Sequence, residues 1–424
     1  MAQLTDDCFA FSGPLLPVDD LETIIRERIM PVVEIETVGL ALARGRTLVG
    51  NVEAPIDLPP FDNSAVDGYA VRHADLSAQS DTALVIADRI TAGRAAAHPI
   101  ARGAAIRIFT GAPMPDGADT VFMQEDVRTE GDSVSVPPGL KRGSNRRLAG
   151  EDIRAGSIAL PAGRVLSIAD VALASALGLT ALPVRRRIRV ALFSTGDELT
   201  EPGHPLARAS LYDANRTLLA GLIASLGATV TDLGILPDDP ARLAPALRDA
   251  ADGHDLVLTS GGVSTGEADH VRDAVEAIGS LVFWRVAIKP GRPVAMGVIP
   301  SVSADTSAAF VGLPGNPVAA FVTFVRVVRP LIMRLSGAIT PPLVPLPVRA
   351  AFGYRKKGGR REYVRVALRR AEDGVVEAVK HRQEGAGVLT SLTETDGLVE
   401  LPENVTTVEP GSTVGFMSYA SLGA

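Results

Sequence analysis

From Arg187 to Leu335 the chain alternates short apolar runs with helical segments, and nearly every apolar run ends in a glycine-rich or charged loop. This pattern predicts a parallel sheet covered by helices, because parallel strands need crossover connections long enough to carry a helix. The runs read as strands are 190–193, 229–235, 256–259, 282–288, 294–298 and 310–313. The helices between them read as 215–226, 240–251, 268–278 and 318–335.

The remaining sequence differs in texture. At 424 residues the chain exceeds one ordinary core, so two to four domains of roughly 100 to 150 residues each are expected. Val18 to Val49 carries apolar residues at helical spacing, which predicts one or two amphipathic helices. Between Pro55 and Lys141 come short β-rich runs at 83–86, 105–109 and 120–123, separated by Gly and Pro, which predict a small β domain. A second helical stretch, 168–177, is closed by Gly178, so the β domain reads as an insertion within a discontinuous helical domain. Four prolines between Thr340 and Pro347 suit a stiff extended connection, and 348–416 reads as another small all-β unit.

Charge and composition exclude several function classes. The formal net charge is −7 and only 4% of residues are aromatic, which argues against nucleic acid as a partner. The single cysteine, Cys8, precludes an internal disulfide and reads as an inert thiol, and no basic, apolar leader opens the chain. No apolar stretch approaches the roughly 18 residues of a membrane helix, so a cytoplasmic location is expected. The six histidines show no metal-ligand spacing.

In an open parallel sheet, ligands bind beyond the carboxyl ends of the strands. Those ends carry Ser194 to Glu198, Pro237 to Asp239, Ser260 to Asp269, Lys289 to Arg292, and Pro314 to Pro317. The Ser260-Gly261-Gly262-Val263-Ser264-Thr265-Gly266 loop runs from strand to helix, so free backbone N–H groups there suit a phosphate. Glu198, Asp238 and Asp269 would repel a bare phosphate, and the combination makes sense with Mg²⁺ bridging the two. Lys289 and Arg292 would grip an oxyanion. The blander reading, in which the carboxylates cap helices and the glycines turn the chain, suits any one loop taken alone.

No Walker or dinucleotide-binding glycine motif occurs. Gly262 to Gly266 matches the Gly-x-Ser-x-Gly nucleophile elbow, but a triad would have to draw its histidine from His270 or the distant His381. Asp62 to Ala70, Thr110 to Pro113 and Arg146 to Asp152 read as turns or solvated surface pairs. Lys356 to Arg361 reads as an exposed hairpin tip, with Arg365 able to point inward as an oxyanion ligand.

Taken together, the segments 59–70, 109–113, 150–153, 193–199, 212–216, 260–269, 288–291 and 312–317 resemble the molybdopterin molybdenumtransferase (molybdenum insertase, MoeA) family, which also includes the C-terminal part of gephyrin. The resemblance implies a multidomain α/β fold: a molybdopterin-binding α/β domain (187–338), a discontinuous helical domain (1–54 and 149–186), an inserted β domain (55–148) and a C-terminal β-barrel (339–424). It implies a homodimer whose cleft lies between the parallel-sheet domain of one subunit and the inserted domain of the other. Carried over by motif, Asp67, Thr110 and Asp152 face the cleft from one side. Glu198, Asp238, Asp269, Lys289, Pro314 and Pro317 line the other. Asp67, Asp152, Glu198, Asp238 and Asp269 are the implied catalytic set, the last three also holding Mg²⁺. Ser194, Asp213, Asn215, Ser260, Gly261, Gly262, Ser264, Gly266, Arg292, Asn316 and Arg365 join the substrate-binding set.

The implied reaction takes molybdate and adenylylated molybdopterin as substrates and releases AMP. Transient contacts with a molybdopterin adenylyltransferase and with molybdoenzymes are the implied protein partners. Arg285 and Arg292 stand where the family is expected to have lysines, and Ala386 where it often has serine; a planar guanidinium fork grips an anion differently from an ammonium. Two alternatives share the α/β domain. An adenylyltransferase is little more than that domain, and a gephyrin-like scaffold would need a further fused domain and long linker.

Overall fold

The computed structural model describes residues 4, 15–262, 270–291, 293–339 and 342–423. Cys8, Ser264, Gly266, Asp269, Arg292 and the start of the proline-rich connection, Thr340 and Pro341, lie outside the described residues.

The central sheet has the strand order Thr229–Leu236, Arg189–Thr195, Leu256–Ser260, Ser307–Leu313, Pro293–Pro300, Ser280–Arg285. The first four strands are parallel and the last two pairings are antiparallel, which corrects the expectation of a parallel sheet throughout. The reason is the length of the connections: residues 301–306 and 286–292 are too few for a crossover helix, so each strand folds straight back on its neighbour. The run expected as one strand over 282–288 is also split. Ser280–Arg285 stays in this sheet, while Ile288 and Lys289 leave it to pair with Arg361 and Glu362.

Side chains alternate across each strand, so one sheet has two cores. Val190, Leu192, Leu258 and Val311 face Leu219 and Ile223 of helix Asn215–Ser225 and Phe321 of helix Pro317–Thr323. Ala191, Phe193, Val257 and Phe310 face Leu243 and Leu247 of helix Pro240–Gly253 and Val271 and Val275 of helix His270–Ile278. Helix Pro317–Thr323 runs on through a π-turn, Phe324–Val328, into Arg329–Leu335.

The N-terminal region is less helical than its periodicity predicts. Helix Val18–Arg28 packs Leu21 and Ile25 into the first core, but Ile35–Gly39 is a strand paired with Ala181–Arg185, and only one turn, Leu40–Ala43, is helical beyond it. Ile35, Thr37 and Val38 are β-branched, so the extended form costs them little once a distant partner is available. Val52 and Glu53 likewise pair with Ile158–Leu160, beyond the inserted β sheet. Helix Ile168–Ala176 starts on a reciprocal Ser167–Asp170 capping box.

The inserted sheet runs Thr120–Met123, Gly68–Val71, Ala104–Ile108, Thr82–Ile90, Ser133–Val136, Arg128–Glu130. Gly68–Tyr69–Ala70, read as part of a turn, is therefore a central strand. In the C-terminal region Arg361–Arg370 pairs with both Val376–Lys380 and Gly397–Leu401. Thr413–Ser418 and Leu346–Ala350 complete the circuit, so five strands form a closed barrel. Arg361, expected at an exposed tip, is buried and ion-paired to Asp19 of the N-terminal helix at 3.0 Å. Among the described residues no helix is long and apolar enough to cross a membrane.

Candidate active site at the strand ends

A cavity of about 490 Å³ opens where the parallel strands end. Ser194, Glu198, Asp213, Asn215, Ser260, Gly261, Asn316 and Pro317 all line it, so the structure brings together most of the strand-end residues singled out above. Pro314 is half-buried one residue before the lining Gly315.

The glycines are required by packing as well as by conformation. Gly261 has φ +90° and a Cβ there would stand 2.7 Å from the Thr195 carbonyl oxygen; Gly262 has φ +66° and its Cβ would meet Thr195 and Val271 side chains at 2.5 and 2.6 Å. Gly261 and Gly262 therefore pack directly on Thr195 at the end of the neighbouring strand. Asn215, at the start of its helix, braces the rim by donating to Ser260 Oγ at 2.8 Å and to the Gly315 carbonyl at 2.7 Å. Asn215→Ala leaves those acceptors without their donor, and a loss of about 1–3 kcal/mol is expected in urea unfolding. An unchanged midpoint would mean that water replaces the amide. Asp213 is held from the same segment by Arg216, whose backbone N–H donates to Asp213 Oδ1 at 3.1 Å and whose guanidinium approaches Oδ2 at 3.3 Å.

Several polar atoms here are buried without a partner among the described residues: Ser194 Oγ, Thr195 Oγ1 and Asp238 Oδ1. Burial pushes the Asp238 carboxyl above the usual range; His270 opposes that rise, and the negative Asp197 and Glu198 reinforce it. A carboxylate crowded by carboxylates, with an unpartnered oxygen, fits a hard divalent cation such as Mg²⁺. Among the described residues no group of three or more His, Cys, Asp or Glu side chains is arranged to hold a metal, and Asp269 lies outside them.

Lys289 and Arg365 line a separate cavity of about 220 Å³ between the α/β domain and the barrel. Lys289 Nζ is 3.1 Å from Glu362, which also accepts from the Tyr354 hydroxyl at 2.9 Å. Arg365 does point inward, but it donates to Ser391 Oγ, the Gln383 carbonyl and the Gly385 carbonyl, so protein acceptors occupy two of its three nitrogens. The barrel loop between the cavities serves both: Ala386 lines the smaller, while Gly387 and Leu389 line the larger. Val318 N donates to the Ala386 carbonyl at 3.0 Å and pins this loop to the helix start. Gly387, Leu389 and Glu362 were not singled out from sequence; these barrel residues carried no signal, because only the fold carries them to the sheet edge.

Asp67, Thr110 and Asp152 are not among the residues lining either cavity. Asp67 Oδ1 accepts from Thr110 N at 2.8 Å and Thr110 Oγ1 at 2.7 Å, which holds its carboxyl below the ordinary value and leaves Oδ2 out of both bonds. Thr110→Val should move the Asp67 carboxyl titration upward in ¹³C NMR; an unmoved titration would assign the whole effect to the backbone N–H. Arg107 stands beside this pair, donating to the Gly68 carbonyl and stacking on Tyr69 and Phe109. Asp152 is exposed, on a loop tied by its backbone to Leu58.

The fold and its strand-end cavity define a class: multidomain proteins built around an α/β domain of the molybdopterin-binding type. Residues 191–334 match the family described as "Probable molybdopterin binding domain", residues 16–178 the "MoeA N-terminal region (domain I and II)", and residues 347–419 the "MoeA C-terminal region (domain IV)". The chain belongs to the molybdopterin molybdenumtransferase (MoeA) family. It is 36% identical over 410 residues to the molybdopterin molybdenumtransferase of Haemophilus influenzae, covering 96% of this chain and 100% of that one. It is 37% identical over 387 residues to the protein of the same name from Nostoc sp., covering 89% and 87%. The crystal structure of the molybdopterin biosynthesis MoeA protein from Pyrococcus horikoshii superposes with TM-score 0.78 at 28% identity, over 96% of this chain and 100% of that one.

Proposed function

We propose that this chain is the molybdenum-inserting transferase of molybdenum cofactor biosynthesis: it binds adenylylated molybdopterin and molybdate, releases AMP and leaves molybdenum on the dithiolene. The observation that carries this reading is the 490 Å³ strand-end cavity. It sets the Ser194, Asn215 and Ser260 side chains beside Glu198. The same strand edge carries Asp238, with its unpartnered oxygen. A pterin phosphate has donors there, and the carboxylates have a use only if a cation accompanies the phosphates.

In this reading Glu198, Asp238 and Asp269 hold Mg²⁺, which when bound neutralises phosphate charge. Ser194, Asp213, Asn215, Ser260, Gly261, Gly262, Ser264, Gly266, Pro314, Asn316 and Pro317 seat the pterin phosphate end. Water attacks the phosphoanhydride, AMP leaves with the bridging oxygen, and the proton passes to solvent through a carboxylate at the rim. Lys289, Arg292 and Arg365 bind molybdate, one of whose oxygens leaves as water with the two dithiol protons when the dithiolene sulfurs take the metal. The chain acts as a cytoplasmic homodimer, in which Asp67, Thr110 and Asp152 of one subunit complete the cleft of the other. Product passes to molybdoenzymes, and substrate arrives from an adenylyltransferase.

Chromatography of reactions containing the protein, adenylylated molybdopterin, Mg²⁺ and molybdate should show AMP release that stops when molybdate or Mg²⁺ is withheld. Adenylylation of molybdopterin by ATP, with no cleavage of the adenylylated compound, would replace this reading with that of an adenylyltransferase.

A further inference from the structure

On the side of the molecule formed by helix Val18–Arg28, helix Arg329–Leu335 and residues 338–339 and 342–343 lies a cavity of about 310 Å³ that the proposed reaction does not use. Its walls are mostly apolar, with Ile25, Val325, Pro330, Ala338 and Leu343 among them. Its charged residues are Arg26, Arg329, Arg334 and Glu22, an excess of positive charge.

The four differ in what they already do. Glu22 is paired at 3.3 Å with Arg326, which the π-turn directs towards the barrel, where Glu400 also approaches it at 3.7 Å. Arg334 Nε donates to the Ile29 carbonyl at 2.6 Å, and Arg26 donates to Thr23 Oγ1 at 3.2 Å. Arg329 makes no hydrogen bond or ion pair with any described residue, although it is half-buried at the cavity wall. Burial and the like charge of Arg326 weaken its hold on its proton, and Glu22 only partly offsets them. A guanidinium withdrawn from water without an anion carries a desolvation penalty that a bound carboxylate would offset, and the planar fork of arginine matches a carboxylate in two parallel bonds.

We propose that this cavity is a binding site for an organic monocarboxylate with a hydrocarbon body, the carboxylate on Arg329 and the body against Ile25, Val325, Ala338 and Leu343. The apolar walls disfavour inorganic phosphate or sulfate, which would leave most of the cavity unfilled and most of their oxygens without donors.

The test is calorimetric titration of the full-length protein with octanoate, with 1-octanol and acetate as controls. Octanoate should bind with one molecule per chain and at least about tenfold more tightly than either control, since each control lacks one half of the recognition. Arg329→Met should weaken octanoate binding at least about tenfold and raise the melting temperature, because an unpaired buried charge is removed. Leu343→Trp, which fills the cavity and keeps Arg329, should also abolish binding. Octanoate that binds no better than octanol, or equally well to Arg329→Met, overturns the proposal. So does an absence of octanoate binding combined with dissociation of Arg329→Met into monomers, which would assign the cavity to a second copy of the chain.

Discussion

Asp238→Asn should lower molybdate-dependent AMP release by about a hundredfold or more, roughly 2.7 kcal/mol of lost transition-state stabilisation, without lowering the melting temperature. The two halves of this result have one cause. Asp238 is disfavoured as a carboxylate by burial and by Asp197 and Glu198, and Oδ1 has no donor among the described residues. An amide of the same shape removes the repulsion, so folding loses nothing, but it also removes a charge that a phosphate-bound cation requires. A steep rise in the Mg²⁺ concentration for half-maximal rate should accompany the loss. A variant with ordinary activity and an ordinary Mg²⁺ requirement would remove Asp238 from the site; one that unfolds would make it a structural residue.

Gly68→Ala should be among the most damaging single-methyl additions to the inserted domain. A Cβ at Gly68 would stand 1.8 Å from the Phe122 carbonyl oxygen and 2.8 Å from its carbon, and these are backbone atoms that no rotamer change can move. Gly68 sits in a central strand, between Ile108 and Met123, so relief requires shifting Thr120–Met123 away and losing its ladder bonds. A cost of about 3 kcal/mol follows, at the upper end of ordinary overpacking. The shift also displaces Asp67, the preceding residue, from Thr110, so AMP release should fall even where the domain stays folded. Differential scanning calorimetry would show a lowered transition for the inserted domain. A transition and a rate both equal to those of the unaltered protein would mean that the strand yields freely and that the glycine is not demanded by this contact.

Much of the fold could be read where periodicity is local. The strands ending at Thr195 and Ser260, and helices such as Asn215–Ser225, lie within a residue or two of where apolar spacing put them, because each element carries its own buried face. What escaped was set by distant partners. Ile35–Gly39 extends because Ala181–Arg185 is there to pair with it, and Ile288–Lys289 leaves the sheet because Arg361 and Glu362 offer an edge. The antiparallel edge could have been deduced, since residues 286–292 and 301–306 are too short for a crossover.

The site divides in the same way. Strand-end loops announced themselves by Gly261, Gly262 and the acidic residues, whereas Gly387 and Leu389 reach the cavity only by the docking of the barrel. The pairing of Lys289 with Glu362 was invisible for the same reason, and it means that molybdate would have to compete with a carboxylate already in place.

The proposed function rests on two walls, one from each subunit, that make one active site. It is tested most directly by mixing two inactive chains, Asp238→Asn and Asp67→Asn, and measuring molybdate-dependent AMP release after the subunits exchange. In a twofold dimer each mixed pair has one intact and one doubly altered site, so random exchange should restore about a quarter of the unaltered rate. A mixture as inactive as its components, with exchange verified by mass spectrometry, would contradict the shared site.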